Sequence, residues 1–104
     1  MALQTGVTEQ NKLGDSFTAL TQLAKLSPKD ASVSSLLTNV RSRLVQQHYN
    51  QGISLYREER LPEAVVEWRS VLQYDPGHEG AKRNIEQAER LLKGLQVRQQ
   101  KQGR

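Results

Sequence analysis

The stretch that decides the fold is residues 48–76, which reads HYNQGISLYREERLPEAVVEWRSVLQYDP. Four of its residues, Gly52, Ala64, Trp68 and Pro76, are separated by twelve, four and eight positions. A glycine and an alanine let two helices approach closely, and an indole fills the volume between helices. A proline ends a helix because it lacks the backbone N–H and clashes with the preceding turn. This order of residues predicts a helical hairpin.

At these spacings the stretch resembles the tetratricopeptide repeat, a helix–turn–helix unit of about 34 residues. The resemblance covers one full repeat, about residues 45–78, and a partial repeat within residues 1–30. It departs from the family at His48 and Gln51, which replace large apolar residues, and at Tyr56, which follows the expected aromatic position by one place. The resemblance implies an all-α, right-handed superhelix of antiparallel helices. Its structural residues here are Gly52, Leu55, Ala64, Trp68 and Pro76.

The N-terminal segment, residues 1–30, has the weakest pattern. A short helix is predicted to begin at Asp15 or Ser16 and to end before Pro28, since a residue that precedes proline avoids the helical region. The residues before Gly14 include few apolar ones. This segment is therefore expected to be either a partial helix that ends at Gly14 or a loose segment.

The rest of the chain shows apolar residues at intervals of three and four, which predicts helices. Asp30 is a suitable cap for an unusually long helix, with a break at residues 43–47 as the alternative. Pro62 suits the first turn of the next helix, where its missing N–H has no partner to lose. The predicted segments are a long helix over 31–59, the second repeat helix over 60–78, a closing helix over 79–96 and a basic, glutamine-rich tail over 97–104.

Composition limits the function classes. The chain has 104 residues, of which 25% are charged and 36% hydrophobic, with a mean hydropathy of −0.71. This length suits one small soluble domain, and no apolar run approaches the roughly 20 residues of a membrane span. Because cysteine is absent, disulfides and thiolate metal sites are excluded, and the usual indication of compartment is missing. A cytoplasmic or periplasmic location is expected.

The net charge of +4 is concentrated at the C-terminus. Lys93, Arg98, Lys101 and Arg104 carry four positive charges without an acidic neighbour, whereas the preceding residues are neutral in sum. A basic tail is typical of a solvated helix end, and nucleic acid is not expected as a partner, because the acidic stretch that precedes the tail would repel a phosphate backbone. A helical binder of nucleic acid or of an acidic surface through this tail is the alternative function.

The resemblance also implies a binding face. In the family, one stripe of the first helix packs against its partner, and the adjacent stripe lines a concave groove that holds a peptide or a helix. Aromatic side chains and arginine suit such a face. The family's carboxylate clamp is not predicted, because Tyr49 stands where the clamp has lysine. The expected partner-binding residues are Gln46, Tyr49, Asn50, Ile53, Tyr56, Arg57, Arg83 and Gln87, with Arg90 on the same face as the last two.

Catalytic and metal-binding patterns are not found. His48 and His78 lie thirty positions apart, and His78, which follows Pro76 and Gly77, is interpreted as a helix-start residue rather than as a metal ligand. No phosphate-binding loop, dinucleotide fingerprint or nucleophile motif occurs, so no enzyme activity, catalytic residue, metal or cofactor is expected.

The prediction is therefore a non-catalytic scaffold or adaptor that binds another protein or peptide. Because a single repeat exposes apolar surface, a homodimer is a further expectation, with self-association through the stripe that contains Leu36 and Leu37. A structural oligomerisation segment without a bound partner is the remaining alternative.

Overall fold

A computed structural model describes the backbone of residues 2–102 and the side chains of residues 12–98. That part of the chain contains four α-helices and no strand, which confirms the all-α class. Within it, none of the helices combines the length and the apolar content that a membrane crossing requires. The helices are α1 (Ala2–Leu26), α2 (Ala31–Arg57), α3 (Leu61–Tyr74) and α4 (Glu79–Gln102).

The chain divides into two compact units, Met1–Leu44 and Val45–Arg104. The first contains α1 and the N-terminal half of α2, and the second contains the C-terminal half of α2 with α3 and α4. The alternative break at residues 43–47 is not observed, because no proline or glycine occurs there and α2 continues through it.

Helix α1 corrects the prediction for the N-terminal segment. It begins at Ala2 rather than at Asp15 or Ser16, and it passes through Gly14 without a break. A glycine ends a helix when it takes a left-handed conformation, and Gly14 has no positive φ. Its backbone oxygen accepts a hydrogen bond from Thr18 Oγ1 at 3.1 Å. The predicted stop is correct, since α1 ends two residues before Pro28.

Helix α2 begins as predicted and ends two residues early. Asp30 Oδ1 accepts hydrogen bonds from the backbone N–H groups of Ser32 and Val33, at 2.9 and 3.3 Å, and so caps the helix. At the other end Glu59 has a φ of 64°, and the N–H of Arg60 donates to the carbonyl of Leu55 at 2.9 Å. This is a Schellman-type end with glutamate in the left-handed position that usually holds glycine.

We expect Glu59→Gly to stabilise the fold by about 0.5–1 kcal/mol, because a Cβ in the left-handed region is strained and glycine removes it. Chemical denaturation followed by circular dichroism measures the change. Glu59→Ala is the matched control, since it removes the same carboxylate but keeps the Cβ. An equal gain in stability from both variants would show that the carboxylate, and not the left-handed backbone at this position, destabilises the native chain.

Helices α3 and α4 begin as predicted, but α4 is longer. Pro62 lies in the first turn of α3, and Asp75, Pro76 and Gly77 follow its last residue. Helix α4 continues to Gln102, which corrects the predicted helix end at residue 96. The basic segment is therefore a helix end as far as the structure describes it, and residues 103–104 lie outside the described residues. Residues 95–102 contain neither glycine nor proline and are rich in glutamine, lysine and arginine, which are good helix formers.

The first unit is thinly packed in the part where side chains are described. Phe17 and Val40 are half-buried, and the guanidinium of Arg41 lies 5.6 Å from the centre of the Phe17 ring. Leu26 and Leu36 are exposed, although both are large apolar residues. Leu36 belongs to the stripe for which self-association is predicted, and its exposure leaves that prediction open.

The second unit contains the principal core. Three helices contribute apolar side chains that are almost completely buried, and α3 packs along α4 through small residues such as Ala81 and Ala88. Partly buried residues of α2 pack against this core. The buried members are Leu55, Ala64, Val65, Trp68, Val71, Ala81, Ile85 and Ala88.

Candidate functional site

Trp68 joins α2 to α3 at the centre of the second unit. Its side chain is 2% exposed, and its indole N–H donates to the backbone carbonyl of Tyr49 at 3.2 Å. A Cβ added to Gly52 would lie 2.7 Å from two indole carbons and closer still to the indole nitrogen. The ring of Tyr56 is tilted against the indole, with 5.9 Å between centroids. The close approach predicted for Gly52 is therefore an approach to the Trp68 side chain.

Tyr49 connects α2 to the start of α4. Its hydroxyl accepts a hydrogen bond from Asn84 Nδ2 at 3.2 Å, and its ring centre lies 5.0 Å from that of His78. His78 caps α4, since its Nδ1 accepts a hydrogen bond from the N–H of Ala81 at 3.0 Å. Most of the Tyr49 side chain is thus engaged in contacts within the chain.

A groove lies between α2 and α4 directly beside Trp68. Its cavity has a volume of about 310 Å³. Gln87 Nε2 donates to the hydroxyl of Tyr56 at 3.5 Å, so a long, exposed hydrogen bond links the two helices here. We call this cavity the α2–α4 groove; it is lined by Ile53, Tyr56, Arg57, Trp68, Asn84 and Gln87.

A larger open cavity continues from this groove toward the C-terminal half of α4. It has a volume of about 800 Å³ and shares Tyr56 and Arg57 with the α2–α4 groove. Leucines and arginines dominate its lining. We call it the C-terminal trough; its lining residues are Tyr56, Arg57, Glu59, Leu61, Arg90, Leu91, Gly94, Leu95 and Arg98.

The structure brings together part of the predicted binding face. Ile53, Tyr56, Arg57 and Gln87 all line the α2–α4 groove, and Arg90 lines the trough. The remaining predicted residues lie outside the linings of both cavities. Among them, Gln46 donates to Asn50 within α2 at 3.0 Å, Arg83 is exposed, and Tyr49 lies between helices as described above.

Sequence reasoning missed several residues of the two cavities. Asn84 lies three positions before Gln87 and therefore on the same face of α4, which is a signal that the sequence contains. Leu91 and Leu95 have the helical spacing of an apolar stripe, yet 45% and 46% of their surfaces are exposed. Helical spacing identifies an apolar stripe but does not show whether a neighbour covers it.

On the α2–α3 side, a polar contact replaces the expected apolar one. His48 Nδ1 donates to Glu67 Oε1 at 2.8 Å, and the His48 ring stacks on Tyr74 with 6.1 Å between centroids. Both side chains of the pair are about three-quarters buried. Among the described residues, no group of three or more metal-ligating side chains is present.

Comparison with known proteins gives one local similarity. No protein-family model matches the chain, and no solved structure matches it. The chain is 42% identical over 50 residues to a UPF0164 protein of Treponema pallidum (strain Nichols). This alignment covers 48% of the chain and 12% of that protein, so the chain spans a small part of the length of the curated relative it matches.

Proposed function

We propose that the chain is a non-catalytic, tetratricopeptide-like interaction module whose α2–α4 groove binds a segment of another protein. The observation that supports this most directly is the convergence of Ile53, Tyr56, Arg57 and Gln87 on one open groove. All four belong to the binding face that the tetratricopeptide resemblance implies. Under this proposal, α2 and α3 form the repeat and α4 is the helix that follows it in a right-handed array.

The groove offers complementary contacts for a polypeptide. Ile53 and the Tyr56 ring supply apolar area, and an aromatic ring is ordered at small entropic cost. The side-chain amides of Asn84 and Gln87 are able to bond backbone groups of an extended or helical segment. Arg57 is exposed at the rim, where its guanidinium is able to bind a carboxylate through two hydrogen bonds.

Tyr49 has a supporting part in this proposal. Because its hydroxyl and ring already contact Asn84 and His78, it holds α4 against α2 and so maintains the width of the groove. Replacing it would disturb the groove and the packing together. A test of partner contact therefore uses Arg57 and Gln87, which are exposed.

A photo-crosslinking residue at position 87 should form an adduct with one defined protein in extract of the source cells. The matched control places the same residue at Val66, which is exposed on α3 and lies outside the linings of both cavities. Adding Arg57→Glu should lower the adduct yield at position 87 about tenfold, because the variant places a negative charge where the guanidinium would pair with a partner carboxylate. Mass spectrometry of the adducts measures both effects.

Equal adducts from positions 87 and 66 would contradict the proposal, and so would a yield at position 87 that Arg57→Glu leaves unchanged. Circular dichroism of each variant checks that the helices remain. Substitutions at exposed positions are expected to change stability by no more than about 0.5 kcal/mol, so a loss of adduct reports binding rather than unfolding.

A further inference from the structure

We propose that the segment bound by this module is an acidic amphipathic helix, whose apolar face and carboxylates occupy the C-terminal trough. The inference rests on the proposed function, because the trough shares Tyr56 and Arg57 with the α2–α4 groove. It adds the chemistry of the partner, which the groove alone does not define.

The floor of the trough is apolar and uncovered. Leu91 and Leu95 lie four positions apart on α4 and expose nearly half of their surfaces, while Leu61 at the start of α3 is buried beside them. Two leucines on successive turns form a stripe along a helix. Such a stripe matches apolar side chains that recur at three and four positions in a second helix.

The rim of the trough is basic. Arg57, Arg90 and Arg98 contribute three positive charges, and Glu59 contributes one negative charge. The ion pairs between side chains within residues 12–98 use other cations, and none includes these three arginines. Their guanidinium groups are exposed, so carboxylates of a partner are able to reach them without breaking an existing pair.

Gly94 lines the trough and has open space beside it. It lies between Arg90 and Arg98 in steps of four along α4, and a Cβ added there would meet no atom within 4 Å. A glycine inside an exposed helix costs about 1 kcal/mol relative to alanine. No contact within the described residues requires the glycine, whereas a bound helix would use the space that the missing side chain leaves.

Charge and shape favour this occupant over two others. A nucleic-acid backbone would engage the arginines but would leave the leucine floor without an apolar partner. A second copy that paired trough to trough would oppose two sets of three arginines, because a two-fold interface places the same patch on both sides. An acidic amphipathic helix would cover the leucines with its apolar face and pair its carboxylates with the arginines.

The test uses three labelled synthetic peptides of about 18 residues, which is about five helical turns. The first has leucines on one helical face and glutamates elsewhere, the second has lysine for every glutamate, and the third has serine for every leucine. Fluorescence anisotropy against the full chain measures binding. The first peptide is expected to bind at least about tenfold more tightly than either of the others, and more weakly as salt is raised.

Two variants locate the site. Arg90→Glu combined with Arg98→Glu should abolish binding of the first peptide, whereas the matched control, Lys25→Glu combined with Lys29→Glu, makes the same charge change at exposed positions outside the trough and should bind normally. Gly94→Leu should fill the trough and weaken binding about tenfold or more while helicity is kept or raised. Gly14→Leu, at a helical glycine that also has open space around it, is its control.

Three results would overturn the inference: equal binding of the lysine peptide, binding of the first peptide that the Arg90 and Arg98 reversals leave unchanged, or capture of duplex DNA that those reversals abolish. Sedimentation is expected to show that the same reversals leave the oligomeric state unaltered. If the inference fails while crosslinking at position 87 still yields a partner, the proposed function stands with a partner of different chemistry. If that adduct is also absent, both fail.

Discussion

Replacing Trp68 by alanine is expected to lower the free energy of unfolding by about 3–5 kcal/mol, the usual cost of removing a buried large aromatic side chain. The indole is almost completely enclosed and contributes to the contacts of α2 with α3. Its removal leaves a cavity and also removes the N–H that donates to the carbonyl of Tyr49. Small domains are stable by about 5–15 kcal/mol, so the variant is expected to be close to unfolded.

Chemical denaturation followed by circular dichroism tests this expectation. Tryptophan fluorescence is not suitable, because Trp68 is the one tryptophan of the chain and the variant lacks it. Val66→Ala is the control, since Val66 lies on the same helix with more than half of its surface exposed and should change stability by no more than about 0.5 kcal/mol. Comparable losses of stability from the two variants would show that packing of the indole does not stabilise the hairpin.

The second large effect is expected for Gly52→Ala, which should destabilise the fold by about 2 kcal/mol. The added Cβ would overlap the indole of Trp68, and overpacking of a core usually costs about 1–3 kcal/mol. Alanine also favours the helix by about 1 kcal/mol relative to glycine, so the steric cost must exceed the net loss of stability. Gly94→Ala, which adds the same group to open space, should instead be stabilising.

A double-mutant cycle assigns the Gly52 effect to the indole. In a Trp68→Leu background the Cβ at position 52 has more space, so Gly52→Ala should cost less than it does in the native chain. A coupling of about 1 kcal/mol or more is expected for side chains in direct contact. Additive losses would mean that the cost at position 52 has another origin.

The second unit was the part of the fold best predicted from sequence, because its signals are local and agree with one another. Pro62 and the turn after Tyr74 fix helix ends in this unit through backbone chemistry that depends on one or two residues, as Asp30 does in the first unit at the start of α2. The predicted ends that the structure corrects, at Gly14 and at residue 96, lie where glycine or polar residues allow a helix to continue without requiring it to stop.

The candidate binding face could be predicted only in part, for a reason of geometry. Helical spacing places Ile53 and Tyr56 on one stripe with Arg57 beside it, but the angle at which α4 crosses that stripe is set by three-dimensional packing. That packing directs Tyr49 toward α4 and leaves Leu91 and Leu95 uncovered. The contact between His48 and Glu67 joins residues nineteen positions apart, and no local pattern in the sequence indicates it.

The cap at His78 has a consequence for proton placement in the neutral imidazoles. A ring nitrogen that accepts a hydrogen bond carries no proton, so neutral His78 is the Nε2–H tautomer. His48 must be the opposite tautomer, because a carboxylate only accepts and its Nδ1 therefore donates to Glu67. The two histidines of this chain thus act as opposite kinds of structural connector, one receiving an amide hydrogen at a helix start and the other supplying a hydrogen between helices.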